Sequence, residues 1–169
     1  MSTAAQVSLE EYLNTDYEPD CDYVDGVLEE RNVGKSRHSE TQSFIIGVLL
    51  AQRHKHGFRV LAEQRVQVSP GRVRIPDVCL VPQDDRDEVT QRAPLLWIEV
   101  LSPDDRFSRV LNRLQDCLRF GVKTSWIIDP YSNTAWTLRP EGLTQVEDGI
   151  LRCENPALEV KLSDVLPED

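Results

Sequence analysis

The sequence predicts a mixed α/β fold, on three observations. Two amphipathic helical patterns alternate with short apolar runs of strand length, each helical pattern stops at a glycine, and an early Asp-Gly pair sits between apolar residues as in a tight hairpin. The order read along the chain is a short helix, a hairpin, a long helix, three strands, a second long helix, a strand and a β-rich tail. With 169 residues, 40% of them apolar, the chain is expected to form one domain spanning 1–169 around a single core.

Taken in order, Ser8 opens a short helix around "LEEYLN", and the acidic loop "TDYEPDCD" follows. In "DYVDGVLEE", Tyr23, Val24, Val27 and Leu28 flank Asp25-Gly26, a dipeptide suited to a type I′ turn, so an N-terminal β-hairpin is expected. From Ser36 to His56 the pattern is helical. Ser39 with Gln42 forms a capping box, Phe44, Ile45, Val48 and Leu49 define the core face, and Gly57 is the stop. Three strands are expected next, "FRVLAEQRVQV", "RVRIPDVCLV" and "PLLWIEVLS", with "SPGR" as the turn between the first two. A helix from about Asp104 to Phe120, capped by Ser102 or Asp104 and stopped by Gly121, carries a core stripe of Phe107, Val110, Leu111, Leu114, Cys117 and Leu118. "KTSWIIDP" is a buried strand ending at Asp129-Pro130, "NTAWTLRP" and "GLTQVE" an antiparallel pair, and "PALEVKLSDVL" closes the chain.

Composition narrows the function classes. The longest apolar run, "FIIGVLLA", is far short of the roughly 20 residues that cross a bilayer, and the first residues lack a basic segment followed by an apolar one. A cytoplasmic protein without a membrane role is expected. The four cysteines, Cys21, Cys79, Cys117 and Cys153, have neither C-x-x-C nor zinc-ligand spacing, so free buried thiols are expected. With 29 acidic against 19 basic side chains, the formal charge of −10 argues against broad attraction to polyanions. Contact with DNA therefore requires a local basic cleft, for which "GKSRH", "QRHKHGFR" and an arginine row are the material.

The residue out of place is Glu99, inside "PLLWIEVLSP". A carboxylate buried without partners titrates or acquires a cation, a donor set or a metal. Strand alternation puts Leu95, Trp97, Glu99 and Leu101 on one face, and the preceding strand offers Asp77 beside Pro76, which removes a backbone donor and suggests a bend or edge. Two acids on neighbouring strands suit Mg²⁺, or Mn²⁺, which takes one or two carboxylates and fills its other positions with water or phosphate oxygens. The other reading is structural: Asp77 caps a turn and Glu99 pairs with an arginine.

The blocks "YVDGVLEE", "RIPDVCLV", "WIEVLSP", "RFGVKTSWIIDP" and "LEVKLSDVL", in that order, resemble those of the Uma2 family, formerly the DUF820 group, within the PD-(D/E)XK nuclease superfamily. The resemblance implies a restriction-endonuclease-like core, a mixed β-sheet flanked by helices, in which Asp77 and Glu99 bind Mg²⁺. The superfamily's usual lysine two positions after the second acid is here Leu101; Uma2-like sequences place a lysine in the following helix, where this chain has Arg113. Arginine stays charged, so Arg113 is expected to act as a fixed cation and not to exchange protons. Arg106, Arg109 and Arg113 share one helix face at i, i+3, i+7 and are candidates for substrate phosphate, with a solvated face as the alternative. Glu40, on the first long helix, is a further candidate metal ligand by resemblance, or a favourable charge at a helix start. His38 matches a family histidine, Glu63 and Asp22 are nearby acids of open role, and relatives suggest a homodimer.

The leading expectation is thus a Mg²⁺-dependent endonuclease of DNA. A catalytically inactive nuclease fold serving binding or assembly is the alternative, and a hydrolase of smaller phosphate esters is a third reading.

Overall fold

The computed structural model describes residues 6–168 and carries the mixed α/β architecture expected. In chain order the elements are α1 (Leu9–Leu13), β1 (Cys21–Val24), β2 (Val27–Glu30), α2 (Ser36–His56), β3 (Phe58–Ala62), β4 (Val66–Ser69), β5 (Arg72–Arg74), β6 (Val78–Pro82), β7 (Leu96–Val100), α3 (Phe107–Phe120), β8 (Ser125–Asp129), β9 (Thr134–Arg139), β10 (Gly142–Gln145), β11 (Ile150–Glu154) and β12 (Ala157–Lys161), followed by a 3₁₀ turn. They form a six-stranded mixed sheet, β10-β9-β8-β7-β6-β3, a four-stranded sheet, β2-β1-β5-β4, and the β11–β12 hairpin.

The large sheet is covered on both faces. Alternation sends Leu96, Ile98 and Val100 of β7 and Trp126 and Ile128 of β8 to the side of α2, where Ile45, Leu49 and the β11–β12 hairpin cover them. Trp97, Leu101 and Ile127 face the other way, onto Val110, Leu114 and Cys117 of α3 and Val66 and Val68 of β4. Leu95, assigned by alternation to that second face, precedes the strand and packs with the first cluster. β7 and β8 run parallel, joined through α3, which is the connection a parallel pair requires.

Local chemistry explains most boundaries. Ser8 accepts the amide of Glu11 as the cap of α1. Asp25 and Gly26 both have positive φ, 48° and 91°, the requirement of the type I′ turn that joins β1 to β2. Gly57 and Gly121 end α2 and α3 in the left-handed region, where a Cβ is unfavourable.

Five expectations need correction. "FRVLAEQRVQV" is two strands: at Glu63 the φ of 49° turns the chain out of the large sheet, and β4 joins the small one. "RVRIPDVCLV" likewise breaks at Ile75-Pro76-Asp77, with β5 in the small sheet and β6 in the large one. The capping box does not form, because α2 starts three residues earlier. Lys35 is its N-cap, the Ser39 amide bonds the Lys35 carbonyl, and Gln42 instead donates to the Asp77 carbonyl at 2.9 Å. The buried face of α2 is His38, Thr41, Ile45 and Leu49, while Phe44 is exposed. α3 begins at Phe107 with Arg106 as N-cap; Ser102 and Asp105 bond each other in the turn before it.

All four cysteines are buried free thiols. No helix among the described residues is long and apolar enough to cross a membrane.

The small sheet is tied to α3 by two guanidiniums that share Asp116, those of Arg72 and Arg74. Arg74 of β5 donates to Asp22 of β1 at 3.0 Å, to Glu29 of β2 at 2.6 Å and to Asp116 of α3 at 3.0 Å. Its side chain is 7% exposed and that of Asp22 2%. Removing one member of a buried ion cluster leaves its partners uncompensated, at a cost of about 3–5 kcal/mol. Arg74→Met is expected to lower the unfolding free energy by about that amount; a urea midpoint within error of the wild type would refute the assignment.

Candidate active site

The break between β5 and β6 sets the position of Asp77. Its last residue before β6 lies one step beyond the Val78↔Ile98 pair of β6 and β7, so Asp77 stands opposite Glu99. Both carboxylates are buried, 4% and 2% exposed.

Each carboxylate has one oxygen held by a rigid donor and the other by a guanidinium. Asp77 Oδ2 accepts the backbone amide of Val100 at 2.7 Å, and Oδ1 accepts Arg31 at 3.0 Å with His38 Nε2 at 3.4 Å. Glu99 Oε1 accepts the indole N–H of Trp97 at 2.9 Å, and Oε2 accepts Arg113 at 3.1 Å. Arg31, His38, Asp77, Glu99 and Arg113 surround a space of about 10 Å³, the size of one water molecule or ion. The rim is clasped by Asn32, which donates to Asp105 at 2.7 Å, while Asp105 accepts the Ser102 amide.

Electrostatics separate the two acids. Burial acts to raise Asp77, but the His38 hydrogen bond and the Arg31 charge outweigh it and hold the carboxyl below the usual range. Glu99 is pushed up, chiefly by burial with the Asp77 charge adding to it, while Arg113 opposes the rise. Burial works against a charge on His38, yet the Asp77 hydrogen bond prevails and raises the imidazole. Gly34 makes room for that ring, since a Cβ there would lie 2.5 Å from His38 Nδ1.

The structure brings together Asp77, Glu99 and Arg113 as the sequence suggested, and adds His38. Glu40 is not with them: it lies on the exposed face of α2 and does not line this space, because the inward face of that turn is taken by His38 and Thr41. Arg106, as N-cap, is outside the helix row and exposed. Arg109 lines an adjoining pocket with Arg113, Arg74 and Asp22. Glu63 lines a larger cleft on the other side, its own amide bonded to the Asp77 carbonyl. Asp129 turns the chain by accepting the amides of Tyr131 and Ser132. Sequence reasoning missed Arg31, which "LEERNVG" presents as one more charge in a polar loop, and the anchoring role of Trp97.

These residues fit a hard divalent cation in kind. The two oxygens held by guanidiniums are the exchangeable ones, whereas the other two are oriented by donors that cannot move away. No group of three histidine, cysteine, aspartate or glutamate side chains suited to holding a metal occurs among the described residues. Two protein carboxylates leave most positions of the ion to water or phosphate, a pattern that suits Mg²⁺ or Mn²⁺ and not structural zinc.

The Uma2 family model, described as "Putative restriction endonuclease", matches residues 9–168. The chain belongs to the Uma2 family. Its fold is shared with a crystal structure described as "a putative nuclease belonging to DUF820 from Anabaena variabilis", at a TM-score of 0.81 and 22% identity, covering 94% of this chain and 97% of that one. A weaker likeness, TM-score 0.46 and 15% identity, covers 78% of this chain and 11% of a chain in the cryoEM structure of a DrdV–DNA complex. No curated protein matches the sequence. Within this Uma2 chain, the two acids and Arg113 line one space, and Leu101 is buried outside it.

The raised imidazole of His38 gives a pH dependence with a definite sign. A folded midpoint above the usual value of about 6.5 means that the His38–Asp77 pairing stabilises the fold fully below about pH 6.5 and loses that contribution as pH rises through the folded midpoint. A proton NMR titration is expected to put His38 above about 6.5 in the wild type and below it in Asp77→Asn, where burial and the Arg31 charge both oppose the protonated ring. The same midpoint in both proteins would dismiss the pairing.

Proposed function

We propose that this Uma2 protein is a Mg²⁺- or Mn²⁺-dependent endonuclease that hydrolyses DNA phosphodiester bonds. The observation that carries the reading is the convergence of two buried carboxylates on one ion-sized space, the inner oxygen of Asp77 shared by Arg31 and His38 and that of Glu99 held by Arg113. The family's description as a restriction endonuclease supports the same reaction class. Asp77 and Glu99 would hold the cation, which when bound supplies positive charge at phosphorus and polarises water.

The remaining roles follow from the side chains themselves. Val100 N–H and the Trp97 indole hold the carboxylates in orientation. Arg113 stays protonated and does not act as a base; its buried Nε has no hydrogen-bond partner among the described residues, so it has donor capacity for a phosphate oxygen. Arg109, and Arg106 at the start of α3, give DNA a local basic approach on a chain whose net charge is −10. Two copies pairing along β10 complete this reading. That strand is an edge of the large sheet, exposed at all four residues, and its Leu143 is 40% exposed.

One observation favours the alternative of an inactive fold used for binding or assembly: two guanidiniums already neutralise the two carboxylates. Cleavage of supercoiled plasmid in Mg²⁺ and in Mn²⁺ separates the readings. The wild type is expected to nick or linearise DNA, Asp77→Asn to show no cleavage above background, and Arg113→Met to lose about 10²-fold in rate. Indistinguishable wild-type and Asp77→Asn reactions would sink the nuclease. Light scattering after size exclusion is expected to give twice the 19.3 kDa chain mass; a monomer would remove the pairing along β10.

A further inference from the structure

The arginines of this protein fall into two groups. Arg65 donates to Asp20 twice and to the Tyr12 and Thr15 carbonyls, and stacks over Tyr12. Arg74 is held by three carboxylates. Both have their donors committed to the fold. Arg31, although its side chain is only 14% exposed, makes a single hydrogen bond among the described residues, to Asp77 Oδ1. A guanidinium has five N–H donors, and those of Arg31 that Asp77 does not take are not sealed from solvent, so they are available to a ligand.

Its position is equally specific. Arg31 follows β2 directly and lines two spaces at once, the ion-sized space at the acids and an adjoining cleft of about 450 Å³. It is the one arginine or lysine among the residues lining that cleft, which also include Asp16, Glu18, Asp20 and Glu63. These acids repel a phosphate, which leaves Arg31 as the one permanently charged cation of the lining that can hold it.

Charge balance links the two spaces. With Arg31 and Arg113 in place, Asp77 and Glu99 are already neutralised, so a divalent cation added without any displacement is opposed by both guanidiniums. If Arg31 leaves Asp77, one guanidinium, that of Arg113, still opposes the cation instead of two, and Arg31 needs an anion. We infer that Arg31 is a substrate-binding residue of this site, whose guanidinium exchanges Asp77 Oδ1 for a phosphate oxygen of the nucleic acid as the divalent cation binds. The inference rests on the nuclease reading above and makes cation and phosphate bind cooperatively, each being tighter in the presence of the other.

The test is Mn²⁺ binding to the full chain, followed by calorimetry with and without a short phosphorothioate DNA duplex that resists cleavage. In the wild type the duplex is expected to tighten Mn²⁺ by about tenfold or more. Arg31→Met is expected to bind Mn²⁺ about tenfold tighter than wild type without DNA, and to lose the effect of the duplex. Arg31→Gln, which keeps a donor for Asp77, changes in the same direction and serves if the methionine variant does not fold. In either variant, Mn²⁺ is expected to raise the melting temperature more than it does in the wild type. If Asp77→Asn abolishes Mn²⁺ binding while the Arg31 variants match the wild type with and without DNA, the role of Arg31 is overturned and the metal reading stands. If Mn²⁺ binds none of these proteins, or binds Asp77→Asn as well as wild type, both fall together.

Discussion

The site depends on an amide that has lost its strand neighbour. β6 pairs with β7 only as far as Val78↔Ile98, because the chain before it turns away into the small sheet at Ile75-Pro76-Asp77. A buried backbone N–H must find an acceptor, and that of Val100 takes the carboxylate of Asp77 at 2.7 Å. One bond thus satisfies the end of the ladder, holds an acid in an apolar sheet and leaves its second oxygen to Arg31 and His38. The Gln42 side chain completes the arrangement from α2 by donating to the Asp77 carbonyl.

The apolar surroundings of Glu99 follow the same logic. Its flanking residues, Ile98 and Val100, point into the α2 side of the core, while Trp97, on its own face, supplies the indole N–H. A tryptophan two positions away on a strand shares a face with the carboxylate, so the strand provides its own donor. Rigid packing on both sides of the sheet then leaves the guanidiniums as the adjustable part of the site.

Much of this was legible in sequence, for identifiable reasons. Glu99 stood out because a charge inside a strand of apolar residues is costly, and Asp77 because Pro76 marked a bend. Gly57 and Gly121 marked real helix ends, and Asp25-Gly26 a real turn. The two sheet changes were hidden because the alternation of apolar residues continues across them, and Glu63, a non-glycine with positive φ, carries no compositional signal. Arg31 was hidden for a different reason. Its partner is Asp77, distant in sequence, and nothing local distinguishes a loop arginine aimed inward from one in water. Glu40 shows the converse: resemblance nominated it, but helical rotation from His38 carries it to the solvent side of α2.

Helix α3 carries Arg113 and Asp116 one turn apart. The first reaches Glu99, and the second reaches Arg72 and Arg74 in the small sheet. Groups that share one helical turn do not respond independently to substitution. A change at Asp116 that only loosens the small sheet also displaces the backbone that aims Arg113, so the two positions constitute an epistatic pair. The same replacement at Asp116 would then have different consequences with lysine and with arginine at position 113, and tolerance of either would depend on what had already changed in the small sheet.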